Sequence, residues 1–175
     1  NASYYVDMVS SASIDVITTA SKYSEERTQY GVGFEYLRGK VTYAAGFSNS
    51  SENDYEADTA NVSVSQDMFG DLTTVSLSFT RGWDDVTRRG DDAFADSVDR
   101  RIYGVNISQI ATKRLILGFS YDAITEEGFL NNPYRQVRYV DVDEALGYAY
   151  EAERYPRTRT GNAFAVRARW FLPYR

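Results

Sequence analysis

Thr59-Ala-Asn-Val-Ser-Val-Ser-Gln-Asp-Met68, then Phe69-Gly-Asp71, then Leu72-Thr-Thr-Val-Ser-Leu-Ser-Phe-Thr80 alternates apolar and polar residues on both sides of a turn. Successive side chains of an extended strand point to opposite faces, so this period of two is a strand signal. Ala60, Val62, Val64 and Met68 share one face, and Thr59, Asn61, Ser63, Ser65 and Asp67 share the other. Gly70-Asp71 supplies a tight turn. The next strand sets Val75, Leu77, Phe79 and Trp83 against Thr74, Ser76, Ser78 and Thr80. The stretch predicts an antiparallel hairpin with one apolar and one small polar face.

The pattern recurs along the chain. Tyr30, Val32, Phe34 and Tyr36 oppose Gln29, Gly31, Gly33 and Glu35; beyond Arg38-Gly39, Val41, Tyr43, Ala45 and Phe47 oppose Thr42, Ala44, Gly46 and Ser48. Tyr103, Val105 and Ile107 precede a turn at 111–113, followed by Leu115, Leu117, Phe119 and Tyr121. Near the end, Phe164, Val166, Ala168 and Trp170 oppose Ala163, Ala165, Arg167 and Arg169. Near the start, Tyr4, Val6, Met8, Ala12, Ile14 and Val16 oppose Asp7, Ser11, Ser13 and Asp15. Helical spacing is hard to find. The reading gives about eight strands of roughly 10 to 14 residues, the length a tilted membrane strand needs.

Alternation alone fits both a membrane barrel and a soluble barrel with an apolar interior. Three features favour the membrane. Connections near 38–39, 69–71 and 111–113 read as short, whereas 22–27, 51–58, 84–100 and 126–157 read as long, polar and acidic. Short turns on one side and long loops on the other are the habit of outer-membrane barrels. The polar face also carries mostly Gly, Ser, Thr, Ala and Asn, which suit a crowded lumen better than open solvent. Aromatic residues fall near strand ends, where interfacial Tyr and Trp satisfy both an apolar ring and a polar edge.

Composition narrows the chemistry. The 175 residues, fitting one domain over 1–175, include no Cys and no His, which excludes disulfides, Cys-rich metal sites and a His general base. Fifteen Tyr, nine Phe and two Trp make the chain strongly aromatic. The formal charge is −6 and the only lysines are Lys22, Lys40 and Lys113, so no basic cluster suggests a nucleic-acid partner. No stretch approaches the roughly 20 apolar residues of a membrane helix. A mean hydropathy of −0.47 is compatible with a barrel, because only alternate residues face lipid.

Several strings resemble one family. They are Ser3-Tyr-Tyr-Val-Asp-Met-Val-Ser-Ser-Ala-Ser-Ile-Asp-Val16, Tyr23-Ser-Glu-Glu-Arg-Thr28, Ser50-Ser-Glu-Asn-Asp-Tyr-Glu-Ala57 and Ser65-Gln-Asp-Met-Phe-Gly-Asp-Leu-Thr-Thr74. Arg81-Gly-Trp-Asp84, Gly128-Phe-Leu-Asn-Asn-Pro-Tyr-Arg135 and Tyr155-Pro-Arg-Thr-Arg159 add to them. Together they are similar to a Gram-negative outer-membrane family catalogued only as a domain of unknown function and expected to form β-barrels. The resemblance implies fold and location but no activity or catalytic residues. It also implies a longer protein, with strands after a sequence like Leu172-Pro-Tyr-Arg175, and an envelope partner such as a small lipoprotein, with redox or flavin-transfer proteins nearby. The chain begins within a strand pattern, without a signal peptide, and lacks the terminal aromatic of porin-like barrels, so the expected object is part of a larger barrel.

Three groups of residues are candidates for function. Asp7, Asp15, Glu35, Asp67, Asn106 and Asp122 share the polar face with Arg167 and Arg169. They form either a charged constriction selecting permeants or a set of Arg–carboxylate braces. Acidic Glu52, Asp54, Glu56 and Asp58, with Asp91 and Asp92, are possible oxygen ligands for calcium, although their spacing fits no EF-hand and solvated charge explains them too. Asn131, Asn132, Pro133, Tyr134 and Arg135 belong to a connection long enough to be a plug, a partner surface, or a loop packed on its own barrel.

The expectation is an all-β, antiparallel up-and-down transmembrane β-barrel in the outer membrane, surrounded by lipid. It would be a scaffold or transport element rather than an enzyme, since no Ser–His pair is possible and no carboxylate motif is evident. The rival expectation is a soluble eight-stranded barrel holding a small apolar ligand.

Overall fold

The computed structural model describes residues 2–10 and 24–172. Among them are ten strands and no helix: β1 (Ala2–Ser10), β2 (Ser24–Arg38), β3 (Val41–Ser51), β4 (Tyr55–Met68), β5 (Thr73–Thr87), β6 (Ala95–Thr112), β7 (Leu115–Gly128), β8 (Gln136–Val140), β9 (Tyr148–Ala152) and β10 (Thr158–Trp170). Eight form one antiparallel sheet in the order β1-β2-β3-β4-β5-β6-β7-β10, while β8 and β9 form a separate hairpin. The up-and-down order follows from short turns, which leave each strand beside its predecessor. Gly39 (φ 63°) turns β2 into β3. Phe69, Gly70 and Asp71, all left-handed, carry β4 into β5.

Several expectations need correction. The sheet is open, with β1 and β10 as its edges; no pairing joins them among the described residues, so no closed barrel is present. Of the stretch 51–58 only 52–54 lies between strands, and of 84–100 only 88–94. Acidic residues suggest loops there, but alternation continues through them. Gly82, Asp84 and Val86 are buried on one face, and Arg81, Trp83 and Asp85 are exposed on the other. The length difference between sheet ends therefore rests on 88–94 and on 129–157, which holds the β8–β9 hairpin. The reading of the first strand to Val16, and the connection from Lys22, extend outside the described residues.

Direct pairing carries each face across the sheet. Tyr36, Tyr43, Val64, Leu77, Val105, Tyr121 and Phe164 form one continuous apolar row. The neighbouring row on the opposite face is Glu35, Ala44, Ser63, Ser78, Gly104, Asp122 and Ala163. Aromatic pairs bridge strands on the apolar face: Phe79–Tyr103 at 5.1 Å and Tyr121–Phe164 at 4.7 Å between ring centroids.

The apolar band runs obliquely to these rows. On β2 it extends from Tyr36 toward the long-connection end, to Tyr30; on β10 it extends from Phe164, in Tyr36's row, toward the short-turn end, to Trp170. The drift is about one residue per strand step. With a rise of roughly 3.3 Å per residue and strands about 4.8 Å apart, that slope is on the order of 35°.

Nothing covers this band among the described residues. Phe34 on β2 is 66% exposed and Val166 on β10 is 78% exposed, and the only buried hydrophobic residues described are Val86 and Val98. Both of these lie on the opposite, polar face near the longer connections. That polar face bears the depressions. One is lined chiefly by Thr74, Ser76, Asn106, Ser120, Arg167 and Arg169, and another by Ser3, Gly31, Glu35, Gly46, Ser48 and Asn61. Small residues make room there: a Cβ on Gly46 would come within 2.5 Å of Asn61 Oδ1, and the Asn61 amide would have to turn away.

Candidate functional site

The polar face carries its charge at two levels. Near the longer connections, Arg100 of β6 is paired opposite Glu126 of β7 and reaches toward Asp84 of β5. The Tyr55 hydroxyl donates to Asp84. Arg100 Nε donates to Glu126 at 2.9 Å, and Arg100 Nη2 stands 3.9 Å from Asp84. Arg159 Nε, on β10, donates to the second Glu126 oxygen at 2.5 Å. The result is a charged ladder running from β4 to β10 across the polar face. The carboxylates are nearly enclosed while Arg159 stays exposed, and the two arginines balance the two carboxylates. Sequence reasoning misses this ladder because acid density places Asp84, Arg100 and Glu126 in loops. The polar parity of Thr74, Ser76, Ser78, Thr80 and Gly82, continued to Asp84, is the signal that could have found it.

Of the expected polar-face group, Glu35, Asp67, Asn106, Asp122, Arg167 and Arg169 share one face but are not one cluster. Asp67 accepts the Thr74 hydroxyl at 2.6 Å. Glu35 lies on β2, and Asp122 is two rows from Arg167 along β7 and β10. Asp7 is placed opposite Arg27 in the pairing of β1 with β2. Asp15 lies outside the described residues. Arg167 and Arg169 share a depression with Asn106, Ser108 and Ser120. Among the described residues, neither guanidinium has an ion pair or hydrogen bond, so these two do not brace Asp67, Asp122 or Glu35.

Of the six acidic residues considered for calcium, all but Asp92 have protein partners, Asp54 through the Tyr134 hydroxyl. Asn49 Nδ2 donates to Glu56 at 3.2 Å and to Asp58 at 3.0 Å, and both acids belong to β4 rather than a loop. Glu52 stands 3.6 Å from Arg27. Asp91 pairs with Arg88 and accepts the Ala93 N–H, within the 88–94 turn that also holds Asp92. Among the described residues, no group of three or more His, Cys, Asp or Glu is arranged to hold a metal ion.

Asn131 to Arg135 is packed on its own molecule. Asn131 Nδ2 donates to the Glu153 carbonyl at 2.7 Å, and Asn132 Oδ1 accepts the Tyr134 N–H at 2.9 Å in a local turn that includes Pro133. The Tyr134 hydroxyl donates to Asp54 and accepts the Arg89 N–H at 2.9 Å, tying three connections together. Desolvation first, and then the Asp54 carboxylate, raises the Tyr134 phenol above its ordinary range. Phe129 meets Phe94 edge to face at 5.2 Å, and Arg157 grips Asp96 through two bonds of 2.8 and 2.7 Å. Among the described residues, the β8–β9 hairpin, by contrast, brings no backbone close to a strand of the main sheet. It does not fill the polar face.

The chain matches the model of a family described as "Protein of unknown function (DUF3570)" over residues 10–103 and 95–173. That agrees with the resemblance to a domain of unknown function; the description carries neither a location nor an activity. No curated protein and no solved structure matches the chain.

Proposed function

The chain belongs to this DUF3570 family, and we propose that it is a transmembrane β-barrel component of a Gram-negative outer membrane, serving as a scaffold or transport element rather than an enzyme. The observation that carries this reading is the oblique apolar band on the face away from the depressions. A membrane is level, so strands tilted in a barrel must shift their apolar segments steadily along the hydrogen-bond ladder. A drift corresponding to about 35° matches the tilt of barrel strands. Strands of 11 to 18 residues from β2 to β7 exceed the usual length of about 5 to 6 and are long enough to cross.

The soluble alternative requires the opposite arrangement, with apolar side chains lining the hollow. Here Ser, Thr, Asn and two Arg line it together with Ile116 and Ala165, and the aromatic face is bare. In water, an apolar expanse of this kind would drive association. In lipid it is the solvated surface. In this reading the free edges of β1 and β10 pair with one another or with further strands, because an open edge in hydrocarbon leaves backbone groups unsatisfied.

Expression in a Gram-negative host tests the proposal. The protein should fractionate with outer membranes, resist carbonate extraction and migrate differently on gels before and after boiling. Recovery as a soluble monomer without detergent would overturn it.

A further inference from the structure

We infer that Arg167 and Arg169, with Ser108, Ser120 and Asn106, form a binding site for phosphate-type oxyanions on the polar face. The inference deepens the transport reading by giving the passage a ligand class, and rests on that reading only for its physiological setting.

The argument starts from the arginines. A guanidinium carries five donors and a permanent charge, and its planar fork matches phosphate and carboxylate oxygens. Other arginines on this face are spent on carboxylates: Arg100 and Arg159 meet Glu126. Arg167 and Arg169 are not, among the described residues. Both line one depression, two residues apart on the same face of β10.

Among the described residues, the side toward β7 supplies donors rather than competing acids. Arg167 shares a row with Gly118, Ser108 and Thr74, and the adjacent row contributes Ser120, Asn106 and Ser76. Thr74 is committed to Asp67 and Ser76 to Ser65. The Ser108 and Ser120 hydroxyls and the Asn106 amide have no such bond among the described residues. Gly118, directly opposite Arg167, leaves the floor open; even an added Cβ there would stand 3.7 Å from Arg167 Cβ. The nearest carboxylate on the adjoining strand, Asp122, is two rows away, roughly 13 Å along the strand. Two cations and several neutral donors around one hollow suit a doubly charged tetrahedral oxyanion better than chloride, which offers no set of oxygens to the two forks.

Detergent-solubilised full chain, titrated calorimetrically with inorganic phosphate against chloride at equal ionic strength, tests the site. Saturable phosphate binding is expected, weakened at least tenfold in the Arg167→Ala/Arg169→Ala double variant, with partial retention in Arg167→Lys/Arg169→Lys. Absence of saturable binding to the unaltered chain would overturn the inference, as would equal affinity in the alanine variant. Boiling-dependent gel mobility checks that each variant is folded. Because binding in detergent needs no bilayer, phosphate binding without outer-membrane fractionation would sink the barrel proposal alone, and membrane insertion without binding would sink this one alone.

Discussion

At the residue scale, the side chains that matter most are those whose partners come from another connection. Tyr134 is the clearest. Its hydroxyl ties Asp54 to the Arg89 backbone, so the segment before the β8–β9 hairpin is fixed to two neighbouring connections. Tyr134→Phe removes the hydroxyl and keeps the ring. Limited proteolysis should then cut within 129–135 several-fold faster, with sheet content unchanged by circular dichroism. The pH dependence follows from the raised phenol. A group whose folded pKa lies above its unfolded value of 10.0 contributes fully below pH 10.0 and loses that contribution as pH rises through the folded value. The unaltered segment should stay protected at neutral pH and open only in strongly alkaline buffer, whereas the Phe variant should show no such alkaline step.

At the element scale, each strand carries two chemistries on two faces, and substitutions should separate them. Leu77 occupies the apolar row between Val64 and Val105, and is half exposed on the uncovered face. In a bilayer, Leu77→Arg should cost about 2 to 4 kcal/mol, the depth-dependent cost of an arginine near the midplane of a barrel wall. Ser76→Lys, one residue away on the polar face, loses a 2.9 Å hydrogen bond to Ser65 and should cost about 1 kcal/mol. Urea titration of protein folded into vesicles reads both values. Equal costs would argue that the two faces meet the same solvent. Strand extents are harder to read than strand identity. The alternation from Thr59 through Thr80 announces β4 and β5 without help, yet acidic residues at Glu56, Asp58, Asp84 and Asp85 look like loop and are strand. Acid density measures solvation, whereas the strand is decided by backbone pairing with a partner that the local pattern does not contain.

At the scale of the whole molecule, the eight-stranded sheet and the β8–β9 hairpin are separable in packing. Among the described residues the hairpin backbone comes close to no strand of the sheet, and the chain at its base is already closed, since Glu153 N–H donates to the Arg135 carbonyl at 3.2 Å. Replacing 136–152 by Gly-Gly should therefore leave folding into vesicles and heat-modifiable mobility intact, with stability changed by no more than about 1 kcal/mol. Failure to fold would show that the hairpin supports the sheet after all. Residue order alone dictates the fold class, the two-faced strands, the turns at Gly39 and Gly70, and the exclusion of Cys and His chemistry. These are properties of a period of two and of residue identity, so they are local. Among the described residues, the open sheet edges, the hollow on the polar face, the ladder from Tyr55 to Arg159, and the unpaired state of Arg167 and Arg169 emerge only once the strands are paired. Those depend on register between strands far apart in the chain. Alternation says which face a side chain takes, but only the hydrogen-bonded pairing says which side chains it meets there.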